Sequence, residues 1–193
     1  MPQADTIVTN KALLTALQRL LCNANQVIMQ VYSQLNSSID YKQDRSPVTE
    51  ADTAAHNILM LGLAELTPNI SVVSEEDPSS LAVPEQQSCY WLIDPLDGTK
   101  EFIERNGEFT VNIALIENRR PVLGFVSTPV DQTMYFGGKD LGAWRIRNGQ
   151  NESIQTQANP FVPTRVIVSK SHMNIATYKF IESLGKTELI QAG

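Results

Sequence analysis

Trp91-Leu92-Ile93-Asp94-Pro95-Leu96-Asp97-Gly98-Thr99-Lys100-Glu101-Phe102-Ile103 runs from an apolar segment through a proline-fixed acidic stretch into a short helical pattern. Trp91 to Ile93 read as a buried strand. Pro95 has no N–H to give to a sheet ladder, so regular pairing is expected to stop at Asp94. Asp94-Pro95-Leu96-Asp97 fits a type I turn with proline in second place, which would gather both carboxylates and the Leu96 carbonyl at a strand end. These are hard oxygen donors of the kind that Mg²⁺ takes. Gly98 permits close backbone approach, and Thr99 is placed to cap the following helix, whose first amides would then receive a phosphate. Asp, Pro, Gly and Thr are also ordinary turn and cap residues, so this stretch alone leaves a plain turn and a cation site evenly matched.

Toward the N-terminus, Ile70-Ser71-Val72-Val73 reads as another apolar strand, and it too ends in acids, Ser74-Glu75-Glu76-Asp77. Two strands ending in carboxylates point to one shared site. Before them, Thr49 caps a helix whose buried side is marked by Ala51, Ala54, Ala55, Ile58, Leu59 and Leu63 and which Pro68 ends. Thr49 and Asp52 have capping-box spacing, which gives Asp52 a structural role as an alternative to a chemical one. His56 reads as a surface residue. Asn10 caps a long amphipathic helix from Lys11 to about Gln34, with Leu13, Leu17, Leu20, Leu21, Ala24, Ile28 and Val31 along one face. The polar connection 36–47 carries Lys42.

Toward the C-terminus, a polar, proline-containing loop over 78–88 is placed to act as a flap beside the acids. Phe109, Val111, Ile113 and Leu115 alternate as one face of a strand, and Asn118-Arg119-Arg120 turns it into Val122 to Ser127. Segments 133–136, 143–147 and 153–156 continue an antiparallel meander, with Asn148-Gly149 as a hairpin signal. Past a linker at 158–163, strand 165–169, helix 174–184 and strand 188–191 form a single β-α-β unit.

The chain has 193 residues, 42% apolar and 19% charged, enough for one domain or a small pair of domains of about 100–200 residues each. No apolar run approaches the roughly 20 residues that span a bilayer, and the first residues lack a signal-peptide pattern, so a cytoplasmic setting is expected. Cys22 and Cys89 have no metal-type spacing and are expected to be reduced. A net charge of −6 argues against a nucleic-acid polymer as partner, although a cation held by carboxylates would still admit a small phosphorylated substrate.

Three motifs in order, Pro47-Val48-Thr49-Glu50-Ala51-Asp52, Ser74-Glu75-Glu76-Asp77 and Asp94-Pro95-Leu96-Asp97-Gly98-Thr99, resemble those of the inositol monophosphatase-like, Mg²⁺-dependent, lithium-sensitive phosphatases. Lys100-Glu101-Phe102-Ile103 and Gly107-Glu108-Phe109-Thr110-Val111-Asn112 resemble the CysQ-type 3'(2'),5'-bisphosphate nucleotidase branch rather than the inositol branch, and the resemblance covers nearly the whole chain. It implies an α/β fold, the layered α/β/α/β/α sugar-phosphatase sandwich. Residues 1–157 would form an N-terminal α+β metal- and phosphate-binding domain, and 158–193 the start of a C-terminal α/β domain. That second domain is expected to be cut short, because the family's Trp-Asp-x-Ala-Ala motif, which supplies a further metal-binding aspartate, has no match here.

The resemblance also implies an activity, the Mg²⁺-dependent conversion of adenosine 3',5'-bisphosphate to AMP and phosphate in sulfate assimilation, with sulfated nucleotides as related substrates. The alternatives are an inositol or sugar phosphatase of the same family, or a catalytically impaired fragment that binds cations or a partner. Two or three Mg²⁺ ions are implied: Glu75, Asp94 and the Leu96 carbonyl would hold one, and Asp94 would bridge to a second shared with Asp97. Asp52 would orient the Thr99 hydroxyl toward the attacking water or assist a third ion, the Gly98 and Thr99 amides would hold phosphate, and Lys42 would face it. Glu76 and Asp77 are expected to shape their loop. The resemblance further brings in a peripheral association with the inner membrane, on which the residues themselves are silent.

Overall fold

The computed structural model describes residues 4–34, 47–80, 87–158, 162–170 and 173–192. It separates into two units, Met1–Ile154 and Gln155–Gly193. The first begins with helices α1 (Ala4–Thr9), α2 (Lys11–Gln34) and α3 (Pro47–Leu66), followed by strands β1 (Ser71–Ser74) and β2 (Cys89–Asp97) and the short helix α4 (Thr99–Ile103). A meander completes it: β3 (Thr110–Glu117), β4 (Arg120–Thr128), β5 (Thr133–Gly138), β6 (Gly142–Arg147) and β7 (Gln150–Ile154). The seven strands form one sheet in sequence order, parallel between β1 and β2 and antiparallel thereafter. The second unit holds β8 (Thr164–Ser169), α5 (Ile175–Ser183) and β9 (Thr187–Ala192), a parallel pair joined through a helix. Lys42, His172, most of the 36–47 connection, the flap residues 81–86 and the linker residues 159–161 lie outside the described residues.

Asn10 does cap α2, its Oδ1 accepting from the Leu13 N–H at 3.1 Å. The buried stripe is Leu14, Leu17, Leu20, Leu21, Ala24, Ile28 and Tyr32, so Leu14 and Tyr32 replace the expected Leu13 and Val31, which are partly buried. Three- and four-residue steps from Leu17 reach Leu14, Leu21, Ala24, Ile28 and Tyr32, and Leu13 and Val31 flank that line. On α3, Ala51, Ala55, Leu59 and Leu63 are fully buried at four-residue intervals. This helix begins at Pro47, whose missing N–H costs nothing in the first turn, so Thr49 lies inside the helix and not at its cap position. Helix α1 has no counterpart in the sequence reading, its six residues being too few to show a periodicity, although Ile7 and Val8 are buried.

Phe109, Val111, Ile113 and Leu115 are all buried on the helix-facing side of the sheet, as their alternation predicts. Asn118-Arg119 and Asn148-Gly149 both have positive φ at two consecutive residues, the requirement of a two-residue hairpin turn whose twist suits the sheet. Because the Asn-Gly turn uses only two residues, β7 starts at Gln150, three residues before the expected Ser153. Trp91 is fully buried, its Nε1 donating to Thr67 Oγ1 at 2.9 Å while that hydroxyl donates to the Leu63 carbonyl at 2.8 Å. Loss of such an aromatic typically costs about 3–5 kcal/mol against about 1 kcal/mol for one hydrogen bond, so packing, more than the bond, fixes β2 against the C-terminal end of α3.

Pairing of β2 with β3 is regular from Cys89–Glu117 to Asp94–Asn112, breaks, and resumes at Asp97–Thr110. The expected stop at Asp94 is therefore real but local. Asp94-Pro95-Leu96-Asp97 is a bulge inside a continuing strand rather than a turn that ends it. Pro95 cannot serve the ladder, yet Pro95 and Leu96 are both buried and β3 runs alongside as far as Thr110, which keeps the chain extended.

Candidate active site

Parallel pairing sets Ser74 opposite Ile93, so β1 ends beside the break in β2, and the Glu75 N–H continues the ladder to the Ile93 carbonyl at 3.2 Å. Glu75, Asp94 and Asn112 line a cavity of about 540 Å³ with an apolar floor that includes Leu92, Ala114 and Val126. Partial burial, then the Asp97 and Glu75 charges, push the Asp94 carboxyl up to about 6 against hydrogen bonds from the Leu96 N–H and the Asn112 amide. Asn112 Nδ2 also donates to Asp97 Oδ2 at 3.3 Å, so one amide serves both aspartates of the bulge.

Asp52 reaches the cluster from α3. It is 6% exposed, and burial, followed by the Glu76 charge and hydrogen bond and the charges of Asp94 and Glu75, pushes its carboxyl up to about 8. Asp52 Oδ1 is buried without a hydrogen-bond partner. Three elements therefore bring Asp52, Glu75, Asp94 and Asp97 into one electrostatically coupled group. The geometry adds Glu76, which by sequence is expected only to shape its loop, and Asn112. Adjacent glutamates carry no mark that tells which one turns inward, whereas the Asp94–Asn112 pairing was available in principle from the alternation of β3. Asp77 does shape its loop: its Oδ1 accepts from the Ser79 N–H at 3.0 Å and the Ser79 hydroxyl at 2.5 Å.

Thr99 does not cap α4. It is the exposed first helical residue, and Gly98 occupies the cap position at φ 93° with no side-chain cap bond. The expected Asp52–Thr99 contact is likewise not made among the described residues, the hydrogen-bond partner of Asp52 being Glu76. Glycine at 98 answers to the chain's own backbone, since a Cβ there would stand 3.1 Å from the Glu108 carbonyl and 3.2 Å from Phe109 Cα. Helix α4 is anchored by Phe102, which packs with Tyr32 and Phe109 at centroid distances of 5.0–5.2 Å within the trio, while Arg105 lies 4.8 Å from the Tyr32 ring centroid. Cys22 and Cys89 are free, and burial, then Glu117, push the Cys89 thiol up, the wrong direction for a nucleophile.

Among the described residues no three His, Cys, Asp or Glu side chains are arranged as a finished ligand set. The donor chemistry nevertheless fits a divalent cation: all-oxygen groups, burial and then mutual repulsion that raise two carboxyls, and an orphaned buried oxygen on Asp52. A pH effect follows in metal-free protein. Asp52 and Asp94 have folded values raised from 3.8, so between about pH 4 and 8 the folded state holds protons that the unfolded state has lost, and stability falls as pH rises. Asp77 and Asp131, whose carboxyls are lowered, act only below that window. Scanning calorimetry in chelator is expected to give a melting temperature that declines from pH 5 to 8. Saturating Mg²⁺ is expected to flatten the decline, and a flat metal-free profile would contradict the coupling.

The inositol monophosphatase family model matches residues 9–186. The 3'(2'),5'-bisphosphate nucleotidase CysQ of Salmonella typhimurium is 46% identical over 177 residues, 91% of this chain and 70% of that protein. The protein of the same name from Escherichia coli K12 is 44% identical over 176 residues with the same coverage. Among solved structures, CysQ from Bacteroides thetaiotaomicron superposes with a TM-score of 0.79 at 34% identity, covering 93% of this chain and 72% of that one. An inositol monophosphatase from Zymomonas mobilis gives 0.70 at 30% identity, covering 91% and 66%. The mixed α/β architecture, a large sheet with helices, is that of these neighbours, and the chain belongs to the inositol monophosphatase family.

Proposed function

We propose that this chain is a Mg²⁺-dependent phosphomonoesterase that converts adenosine 3',5'-bisphosphate to AMP and phosphate, in the cytoplasm and in the service of sulfate assimilation. The observation that carries the reading is the coupled acid group of Asp52, Glu75, Asp94 and Asp97, carboxyls brought together and partly buried in an arrangement that a bound cation would relieve. The substrate is supported by the name shared by relatives 44–46% identical to this chain.

Glu75, Asp94, the Leu96 carbonyl and Asp97 would hold the metal, two or three ions in all. When bound, Mg²⁺ supplies a water of lowered pKa and neutralises charge on the leaving oxygen. Asp52, buried beside Glu76 at the edge of this group, would orient the attacking water or assist a further ion. Thr99 and Gly98 present the first amides of α4 toward phosphate, and Thr99 adds its exposed hydroxyl. Asn112 orients both Asp94 and Asp97.

A second reading, an inositol or sugar phosphatase, is favoured by the superposition on the Zymomonas enzyme. A substrate panel of adenosine 3',5'-bisphosphate, inositol 1-phosphate and fructose 1,6-bisphosphate with Mg²⁺ separates the two. The adenosine compound is expected to be turned over at least about tenfold better in kcat/KM, a margin well within what specific polar contacts provide. Li⁺ is expected to inhibit by competing for an Mg²⁺ position. Preference for either of the other substrates would replace the nucleotidase reading, and Mg²⁺ binding without any turnover would leave a cation-binding protein.

A further inference from the structure

Helix α3 carries a second residue facing the acidic turn. His56 lies one helical turn after Asp52, and its Nδ1 shares a 2.8 Å hydrogen bond with Ser74 Oγ, so it is not the surface residue that the sequence suggests. Ser74 is fully buried at the last position of β1, immediately before Glu75. Its hydroxyl oxygen also accepts from the Glu76 N–H at 3.3 Å. Its backbone N–H donates to Ser80 Oγ at 2.9 Å, and the Ser80 hydroxyl returns to the Ser74 and Asp77 carbonyls at 3.2 and 2.7 Å. Beside the Asp52–Glu76 hydrogen bond, Ser74 is thus a point at which the 74–80 turn is tied to α3, and His56 is the side chain of that helix to which its hydroxyl is bonded.

We propose that His56 is a positioning residue for the metal-binding acids: through Ser74 it fixes the turn that sets Glu75 beside Asp94 and Glu76 beside Asp52. The proposal rests on the functional reading above. The two sides of the acid group come from different elements, Asp52 from a helix and Glu75 and Glu76 from a strand end. Their relative placement is therefore only as well defined as the link between α3 and the turn. The clustered acids repel one another, and without such a tie the turn, whose Glu75 and Glu76 are exposed, would relax away from α3 and disperse the donors. Partners that orient metal ligands without touching the ion typically change metal affinity about 10–100-fold.

The test compares wild type, His56→Ala, His56→Asn, Ser74→Ala and the His56→Ala/Ser74→Ala double variant by two readouts. These are the Mg²⁺-induced rise in melting temperature and the Mg²⁺ half-saturation of phosphate release. Removing either partner is expected to raise the Mg²⁺ requirement about tenfold or more. The double variant is expected to be no worse than the poorer single one. His56→Asn, whose amide stands where Nδ1 does, is expected to recover most of the loss. A His56→Ala protein that melts lower but responds to Mg²⁺ as wild type does would show a purely structural residue and overturn the proposal, and strictly additive effects in the double variant would overturn the route through Ser74. Wild type that gains thermal stability with Mg²⁺ yet hydrolyses none of the panel would defeat the activity reading alone. Wild type indifferent to Mg²⁺ by both readouts would defeat both.

Discussion

Asp94→Asn is expected to lower phosphate release from adenosine 3',5'-bisphosphate more than about 100-fold, because a lost ligand should cost at least as much as the 10–100-fold typical of its supporting partners. Asp94 sits between Glu75 on the neighbouring strand and Asp97 across the bulge, and it feels the charge of both. Asparagine keeps the volume and can still accept the Leu96 N–H through its amide oxygen, so the bulge is expected to survive. The metal-free variant should be at least as stable as wild type at pH 8, since a repelled charge has been removed. Calorimetric Mg²⁺ titration, melting temperature and turnover on the same preparation check all three. Turnover within about tenfold of wild type in a well-folded variant would remove Asp94 from the metal site.

Asp52→Asn is expected to have the next largest effect, a turnover loss on the order of 100-fold with no loss of melting temperature above pH 6. Were Asp52 a helix-capping residue, the substitution would cost about 0.5–2 kcal/mol of stability and little else. The helix starts at Pro47, however, which leaves Asp52 in the second turn, buried, with one oxygen lacking any partner and the other group beside it an acid. Such a carboxylate destabilises the metal-free fold at neutral pH, and its retention makes physical sense only through what it does to a cation or a proton. A lower melting temperature combined with an undiminished rate of the folded fraction would reverse this conclusion.

Most of the fold was legible because its determinants are local. The four-residue steps of α3, the two-residue alternation from Phe109 to Leu115 and the Asn-Gly turn each act within a few residues of chain. What misled was context. The proline in Asp94-Pro95-Leu96-Asp97 announces broken pairing, but only burial of Pro95 and Leu96 against the core decides that the strand goes on past the break. Thr49 and Asp52 have the spacing of a cap, yet Pro47 is an equally good helix start and begins the helix three residues before the Glu50 that a cap at Thr49 implies. The acids Glu75, Asp94 and Asp97 stood out as chemistry from their positions at strand ends. Glu76 and His56 did not, because what distinguishes them is the partner each meets across α3 and β1, a fact about tertiary packing that no neighbouring residue encodes.

The parallel pairing of β1 with β2 also settles an identity question that composition leaves open. Glu75 and Glu76 are chemically the same residue, and both stand in the turn that follows β1, where the ladder bond from the Glu75 N–H to the Ile93 carbonyl sets Glu75 beside Asp94 while Glu76 meets Asp52. A slip of one residue in that pairing would carry the turn along β2 and displace both while leaving every side chain of the centre present. A deletion or insertion of one residue in β1 is therefore expected to disturb the placement of Glu75 and Glu76 as thoroughly as substituting either acid.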